Sequence, residues 1–220
     1  NLVYARLTGH GRTGKAMAEA RAGDWLEDTA EALAAGRAVA DKTVVIATST
    51  GGTLAAIAAV HPDLKDSFDA VVLVSPNFRI ADPRARILTW PFVRLWGPLV
   101  AGAERSVPPV NDDHAANWST RYPTVALIPL AVLVKYAQSL DFAAAEVPAL
   151  FMFSDGDRVV DPAATRDVAD AWGGEVALAP QKIPPGNDPN EHVIAGDILS
   201  PGMTDSFVRQ ITGWVRSLEL

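Results

Sequence analysis

At 220 residues the chain is long enough for one α/β domain with a sizeable core, and nothing in it calls for a second. Hydrophobic residues at 49% and charged residues at 20% describe a globular protein and exclude disordered or fibrous classes. The net charge of -7 gives no electrostatic reason to expect nucleic acid or an anionic membrane as partner, and the absence of cysteine removes disulfides, thiol nucleophiles and thiolate metal sites together.

The first residues, Asn1-Leu2-Val3-Tyr4-Ala5, carry neither an initiator methionine nor a signal-peptide pattern and read as the middle of a longer or processed chain; the expected compartment is the cytoplasm. Leu2 to Ala5 predicts a short strand. Thr8-Gly9-His10-Gly11-Arg12-Thr13-Gly14 follows as a glycine-rich loop, but without a long preceding strand and an acidic residue at the end of a second strand it does not make a dinucleotide site. Trp25 to Ala35 has helical spacing and is expected to stop at Gly36. Thr43 to Ile46 is a β-branched run suited to a buried parallel strand, and Leu54, Ala55, Ile57 and Ala58 fall at helical spacing directly after it.

Asp69 to Pro76 predicts the next strand. From Asn77 to Glu146 the strand and helix rhythm breaks, with interrupting prolines and glycines and tryptophans at 90, 96 and 118; residues 77–146 are expected to form a cap or lid inserted in a single domain spanning 1–220. The longest apolar run, Val125 to Val134, contains Pro129 and is far short of the roughly 20 residues of a membrane span, so no span is expected. Val147 to Ser154 restores the sheet, Ala163 to Trp172 follows as a helix begun by Asp161-Pro162, and Glu175 to Leu178 is a last short strand before a loop from Pro180 to Pro189. Ser206 to Leu218 closes the chain as an amphipathic helix with Phe207, Ile211, Trp214 and Val215 on one face.

The chemistry begins at Ala47-Thr48-Ser49-Thr50-Gly51. A strand, a tight turn carrying a serine and a helix opening on small residues form the setting of a nucleophile elbow, in which the hydroxyl stands out over the end of the sheet. Thr48, Ser49 and Thr50 equally suit an N-cap cluster, so the serine needs partners. A serine hydroxyl is a poor nucleophile without a base in hydrogen-bond reach and a carboxylate to orient that base. Asp157, just after the apolar strand 147–154, lies at the carboxyl end of the sheet; Asp155 is the rival acid, and Asp161 suits a helix cap. Of the four histidines, His61 ends the elbow helix, His10 and His114 precede the acid, and only His192 follows it. Serine, acid, histidine is the chain order of an α/β-hydrolase triad.

These stretches resemble the α/β-hydrolases of the serine-aminopeptidase-like or monoacylglycerol-lipase-like type, close in style to small bacterial carboxylesterases. The resemblance rests on Leu7-Thr8-Gly9-His10-Gly11 with Asp24-Trp25-Leu26-Glu27-Asp28, on Ala47 to Gly52, and on Ser154 to Val160 with His192-Val193-Ile194. It implies a mostly parallel sheet with helices on both faces and a helical cap. It also implies Ser49 as nucleophile, His192 as base, Asp157 as its orienting acid and the Thr50 amide as one oxyanion-hole donor, without metal or cofactor. His10 is implied to face the pocket. Ala47 replaces the usual first glycine of the elbow, and the early strand whose loop carries the second oxyanion donor is not found, so the fold is expected to lack its first strands. The expected reaction is hydrolysis of a small carboxylic ester, with peptidase, amidase or thioesterase activity, or a non-catalytic binding role, as alternatives. Trp90, Phe92, Trp96, Trp118, Tyr122 and Leu127 to Leu133 suggest an apolar acyl pocket, with Asn117 and Arg121-Tyr122-Pro123 offered to a polar head group. Nothing in the sequence sets an oligomeric state.

Overall fold

A computed structural model describes residues 1–220. Helix α1 (Gly14–Glu19) starts where Thr13 Oγ1 accepts from the Ala16 amide at 3.3 Å. Helix α2 runs over Ala22–Val39, through Gly36, where a stop was expected. A Cβ at Gly36 would lie 3.1 Å from Thr43 Cγ2, so this glycine permits close packing of the helix on the strand entrance and does not end the helix.

The main sheet has four strands, β1 (Val44–Thr48), β2 (Ala70–Val74), β5 (Ala149–Ser154) and β6 (Val176–Gln181), in the order β1-β2-β5-β6. All are parallel, with Ile46 opposite Val72, Leu73 opposite Phe151 and Phe151 opposite Leu178. β6 is longer than expected and contains Pro180, which an edge strand tolerates because one row of its amides needs no partner.

Alternation along the strands divides the core. Val71, Leu73, Phe151 and Phe153 face a cluster with Trp25 and Leu33 of α2, Leu54 and Ile57 of α3 (Thr50–Val60) and Trp172 after α7 (Pro162–Ala171). Val72, Val74, Leu150 and Met152 face the opposite way, onto Ile194 and α8 (Thr204–Ser217), through Phe207, Ile211, Trp214 and Val215. Each large side chain fully removed from water contributes about 1.5–3 kcal/mol. The carboxyl ends of all four strands therefore point the same way, and loops after β1, β5 and β6 can meet there.

Between β2 and β5 lie a 3₁₀ turn (Pro83–Thr89), α4 (Val93–Ala101), β3 (Glu104–Ser106), α5 (Asp112–Asn117), β4 (Arg121–Pro123), a second 3₁₀ turn (Thr124–Ala126), α6 (Leu127–Ala137) and a third 3₁₀ turn (Phe142–Ala144). β3 and β4 pair antiparallel. The stretch Leu127 to Leu133, expected as acyl-pocket lining, instead belongs to α6, and its Leu130 and Leu133 pack into the main core.

The strand expected at Leu2 to Ala5 does not form. Leu2 and Tyr4 are 74% and 87% exposed, and residues 1–7 have no sheet partner. The Ser49 amide donates to Val74 O at 2.9 Å, which fixes the odd-numbered residues of β1 as those turned to β2. The amides and carbonyls of Val44, Ile46 and Thr48 consequently point the other way, into a cleft of about 890 Å³ whose far wall is Asn1 to Leu7. The cleft keeps the two segments too far apart to pair.

Candidate active site

Ser49 sits between β1 and α3 with φ 52° and ψ -115°, a conformation few non-glycine residues adopt. Holding it costs on the order of 1–3 kcal/mol, supplied by surrounding contacts. Its amide donates to Val74 O at 2.9 Å, and its carbonyl accepts from the amides of Thr53 and Asn77 at 3.1 and 3.2 Å. Although Ser49 occupies the N-cap position of α3, its hydroxyl caps no amide; the side chain is turned instead to His192. The N-cap reading of Thr48 to Thr50 therefore fails at the serine.

The elbow pattern calls for a small residue two positions after the serine, at Gly51, but a Cβ there would meet only Ala47 Cβ, at an ordinary 3.9 Å. The tight position is Gly52, where a Cβ would lie 2.8 Å from Pro76 Cβ and 3.3 Å from Ala47 O. Ala47 is thus accommodated, and Gly52 lets α3 approach the segment after β2.

His192 Nε2 lies 3.0 Å from Ser49 Oγ, and His192 Nδ1 lies 2.8 Å from Asp157 Oδ2. The Asp157 side chain is fully buried, and its other oxygen accepts from the amides of Val159 and Val160 at 2.8 and 3.0 Å. With Nδ1–H donated to this carboxylate, the tautomer assigned by the hydrogen bonds leaves Nε2 free to accept the serine proton. The rival Asp155 points away and pairs with Arg166 at 2.7 Å on the surface.

Residues not found in the sequence hold the histidine loop. Asp188, 4% exposed, accepts from the amides of His192 and Val193 at 3.0 and 2.8 Å through Oδ2, and from Asn190 at 3.0 Å through Oδ1. Ser200 Oγ accepts from the Asp188 amide at 3.1 Å and donates to Val193 O. Glu191, with φ 54°, receives the Ser154 hydroxyl on its carboxylate, and the Arg158 amide donates to Asn190 O at 2.9 Å, so the acid loop and the histidine loop are tied directly. Asp188-Pro189-Asn190 is an aspartate-led turn, the one signal that could have singled out Asp188.

Thr50 opens α3, where the helix leaves its amide without an intrahelical acceptor. His10 lines the same cleft as Ser49, with its ring edge-on to Trp25 at 5.4 Å; the Trp25 indole donates to Thr8 O at 2.9 Å and Asp28 accepts from the Thr8 hydroxyl at 3.1 Å, anchoring this loop to α2. Leu7, Leu33, Leu54 and Phe68 give the cleft an apolar wall. Trp118 and Tyr122 do not line it: Trp118 packs edge-on against His114 at 5.2 Å, and Tyr122 lies in β4 over Gly14. No group of three or more His, Cys, Asp or Glu side chains is arranged to hold a metal ion.

A family model described as serine aminopeptidase, S33, matches residues 5–179. No curated protein matches the chain. A solved structure from work on LipS and LipT, two metagenome-derived lipolytic enzymes, is 22% identical with a TM-score of 0.76, over 96% of this chain and 80% of that one. The monoacylglycerol lipase of Paleococcus ferrophilus is 16% identical with a TM-score of 0.65, over 90% and 76%. A soluble variant of monoglyceride lipase from Saccharomyces cerevisiae, solved with a substrate analog, is 12% identical with a TM-score of 0.60, over 89% and 68%. At these identities the likeness is one of fold. No helix is long and apolar enough to cross a membrane.

Proposed function

This chain belongs to the serine aminopeptidase S33 family of α/β-hydrolases, and on that premise we propose that it is a serine hydrolase cleaving a small carboxylic ester through Ser49, His192 and Asp157. The observation that carries the reading is the unbroken relay from Ser49 Oγ to His192 at 3.0 Å and from His192 to Asp157 at 2.8 Å. Ser49 Oγ attacks the ester carbonyl while its proton passes to His192 Nε2. The oxyanion formed takes the Thr50 N–H, an interaction absent in the ground state and therefore accelerating. Collapse breaks the bond to the alcohol oxygen, which receives the proton from His192. Water then repeats the two proton transfers on the acyl-enzyme, releasing the acid and restoring Ser49. Asp157 keeps its negative charge throughout and stabilises the imidazolium.

The apolar wall of the cleft beside Ser49 supports an acyl group of hydrocarbon character, and we take residues 77–146, inserted between β2 and β5, as a cap. The family description favours one second reading, cleavage of an aminoacyl amide or peptide on the same triad. A fluorophosphonate probe tests the catalytic reading: labelling abolished in Ser49→Ala supports it, and an unlabelled wild-type chain sinks it. Turnover of p-nitrophenyl esters of graded chain length, beside aminoacyl p-nitroanilides, then separates ester from amide.

A further inference from the structure

Between the 3₁₀ turn Pro83–Thr89 and helix α6 lies a second cleft, of about 680 Å³, the size of a small-molecule site. Neither Ser49, Asp157 nor His192 lines it. Its walls are fixed by hydrogen bonds. The Ala81 amide donates to Val159 O at 3.0 Å and the Asp161 amide to Arg79 O at 2.8 Å, which sets Ile80 antiparallel to Val160. Gln138 Nε2, at the end of α6, donates to Phe78 O at 2.7 Å, and Asp82 accepts from the Arg84 amide at 2.9 Å at the start of the turn. A ligand entering here has little chain left to order, which lowers the cost of binding.

The charges that line the cleft are unevenly spent. Asp161 takes Arg79 at 2.8 Å and the Ala163 amide at 3.0 Å, and Asp82 is paired with Arg84 at 2.7 Å, so both carboxylates of the cleft are engaged. Arg79 is engaged too, by Asp161 and Asp167. Arg86 and Lys135 form no ion pair, and Arg86 uses only its Nε, on Pro83 O at 3.3 Å. Two terminal amino groups of a guanidinium on the turn and an ammonium on the helix are therefore unanswered in one cleft of a chain that carries -7 overall. The guanidinium fork matches a carboxylate, and the ammonium adds a point charge beside it. Ile80, Ala85, Ala131 and Val134 make the rest of the lining apolar, and Trp90, 59% exposed, adds an indole.

We propose that this cleft is a second ligand site, for a small aromatic carboxylate whose anion meets Arg86 and Lys135 and whose ring packs against Trp90 and Val134. A bare inorganic anion leaves the apolar lining uncovered, and a neutral ring leaves both cations unanswered; a carboxylate on a flat apolar body answers both. Binding here stands or falls independently of the chemistry at Ser49.

Isothermal titration calorimetry with 2-naphthoate tests the assignment. The Ser49→Ala protein should bind as the parent does, because the cleft lies outside the triad. Arg86→Gln with Lys135→Gln, at positions exposed in the folded chain, should weaken binding about tenfold or more while the unfolding midpoint stays that of the parent. On the unaltered protein 2-naphthamide, the same ring system without the charge, should bind about tenfold more weakly, and added salt should weaken binding of the naphthoate alone. No heat of binding at millimolar naphthoate, equal binding of the amide, or full binding by the glutamine variant would overturn the proposal. So would loss of binding in Ser49→Ala, since the naphthoate would then sit in the cleft at Ser49.

Discussion

His192 Nε2 stands 3.0 Å from Ser49 Oγ across a sequence separation of 143 residues. Nothing local brings them together; parallel strands with aligned carboxyl ends do. If this contact carries proton transfer, His192→Ala should lower kcat on a p-nitrophenyl ester by as much as about 10⁶-fold while the thermal midpoint stays near that of the parent. A loss below about tenfold would remove His192 from the chemistry.

The two aspartates of the acid loop should separate cleanly. Asp157→Asn keeps the shape but loses the charge that fixes the tautomer of His192, and kcat should fall by about 10⁴-fold. Asp155→Asn breaks only an exposed pair with Arg166, whose contribution is about 0–1 kcal/mol, and kcat/KM should be unchanged.

Gly52→Ala drives a methyl group into Pro76, and a close-packed site of this kind is expected to lose about 1–3 kcal/mol in urea unfolding. Gly51→Ala meets only Ala47 and should cost less, the reverse of the ranking that the elbow pattern suggests.

Asp188 touches no reacting atom and acts as a positioning residue through the amides of His192 and Val193. Asp188→Ala releases both, and a displacement of the imidazole by about 1 Å costs roughly 10²-fold in kcat. KM should change little and fluorophosphonate labelling should slow in parallel; a KM effect with kcat preserved would count against positioning.

Asp69 joins α2, the start of β1 and the start of β2, accepting from the Thr43 amide at 2.8 Å and pairing with Lys42 and Arg37. Burial pushes its carboxyl up, but the Thr43 amide and the two cations outweigh that and hold it below its ordinary value. A depressed folded value means the native state binds fewer protons than the unfolded one, so the stabilisation is complete above about pH 4 and is lost as pH falls through the folded value. Unfolding free energies measured from pH 7 down to acid should show this loss in the parent, and Asp69→Asn should be less stable at pH 7 and lose less on acidification.

Much of this arrangement is legible in the sequence because it is written in local pattern and chain order. The β-branched run before Ser49, the apolar run before Asp157 and the lateness of His192 suffice to name three residues that the fold brings within hydrogen-bond reach. What the sequence hid depends on distant partners. Gly36 reads as a stop, yet whether a glycine ends a helix depends on what faces it, here Thr43. Leu2 to Ala5 has strand composition, but a strand exists only with a neighbour to receive its hydrogen bonds. Trp118 and Tyr122 have the aromatic character of a pocket lining, yet aromatic residues pack wherever area is available, here against His114 and over Gly14.

The free side of β1 bears on how the protein fails under stress. Val44, Val45 and Ile46 form a short β-branched segment whose outward amides and carbonyls offer a template to any extended chain, and Ile46 is 57% exposed beside them. Warming or concentrating a chain of residues 1–220 should therefore end in intermolecular β-structure and precipitation before reversible melting is reached. Ile46→Lys would put a charge on that template and should hold the chain in solution to a higher temperature, while placing a cation in the cleft that Ser49 lines.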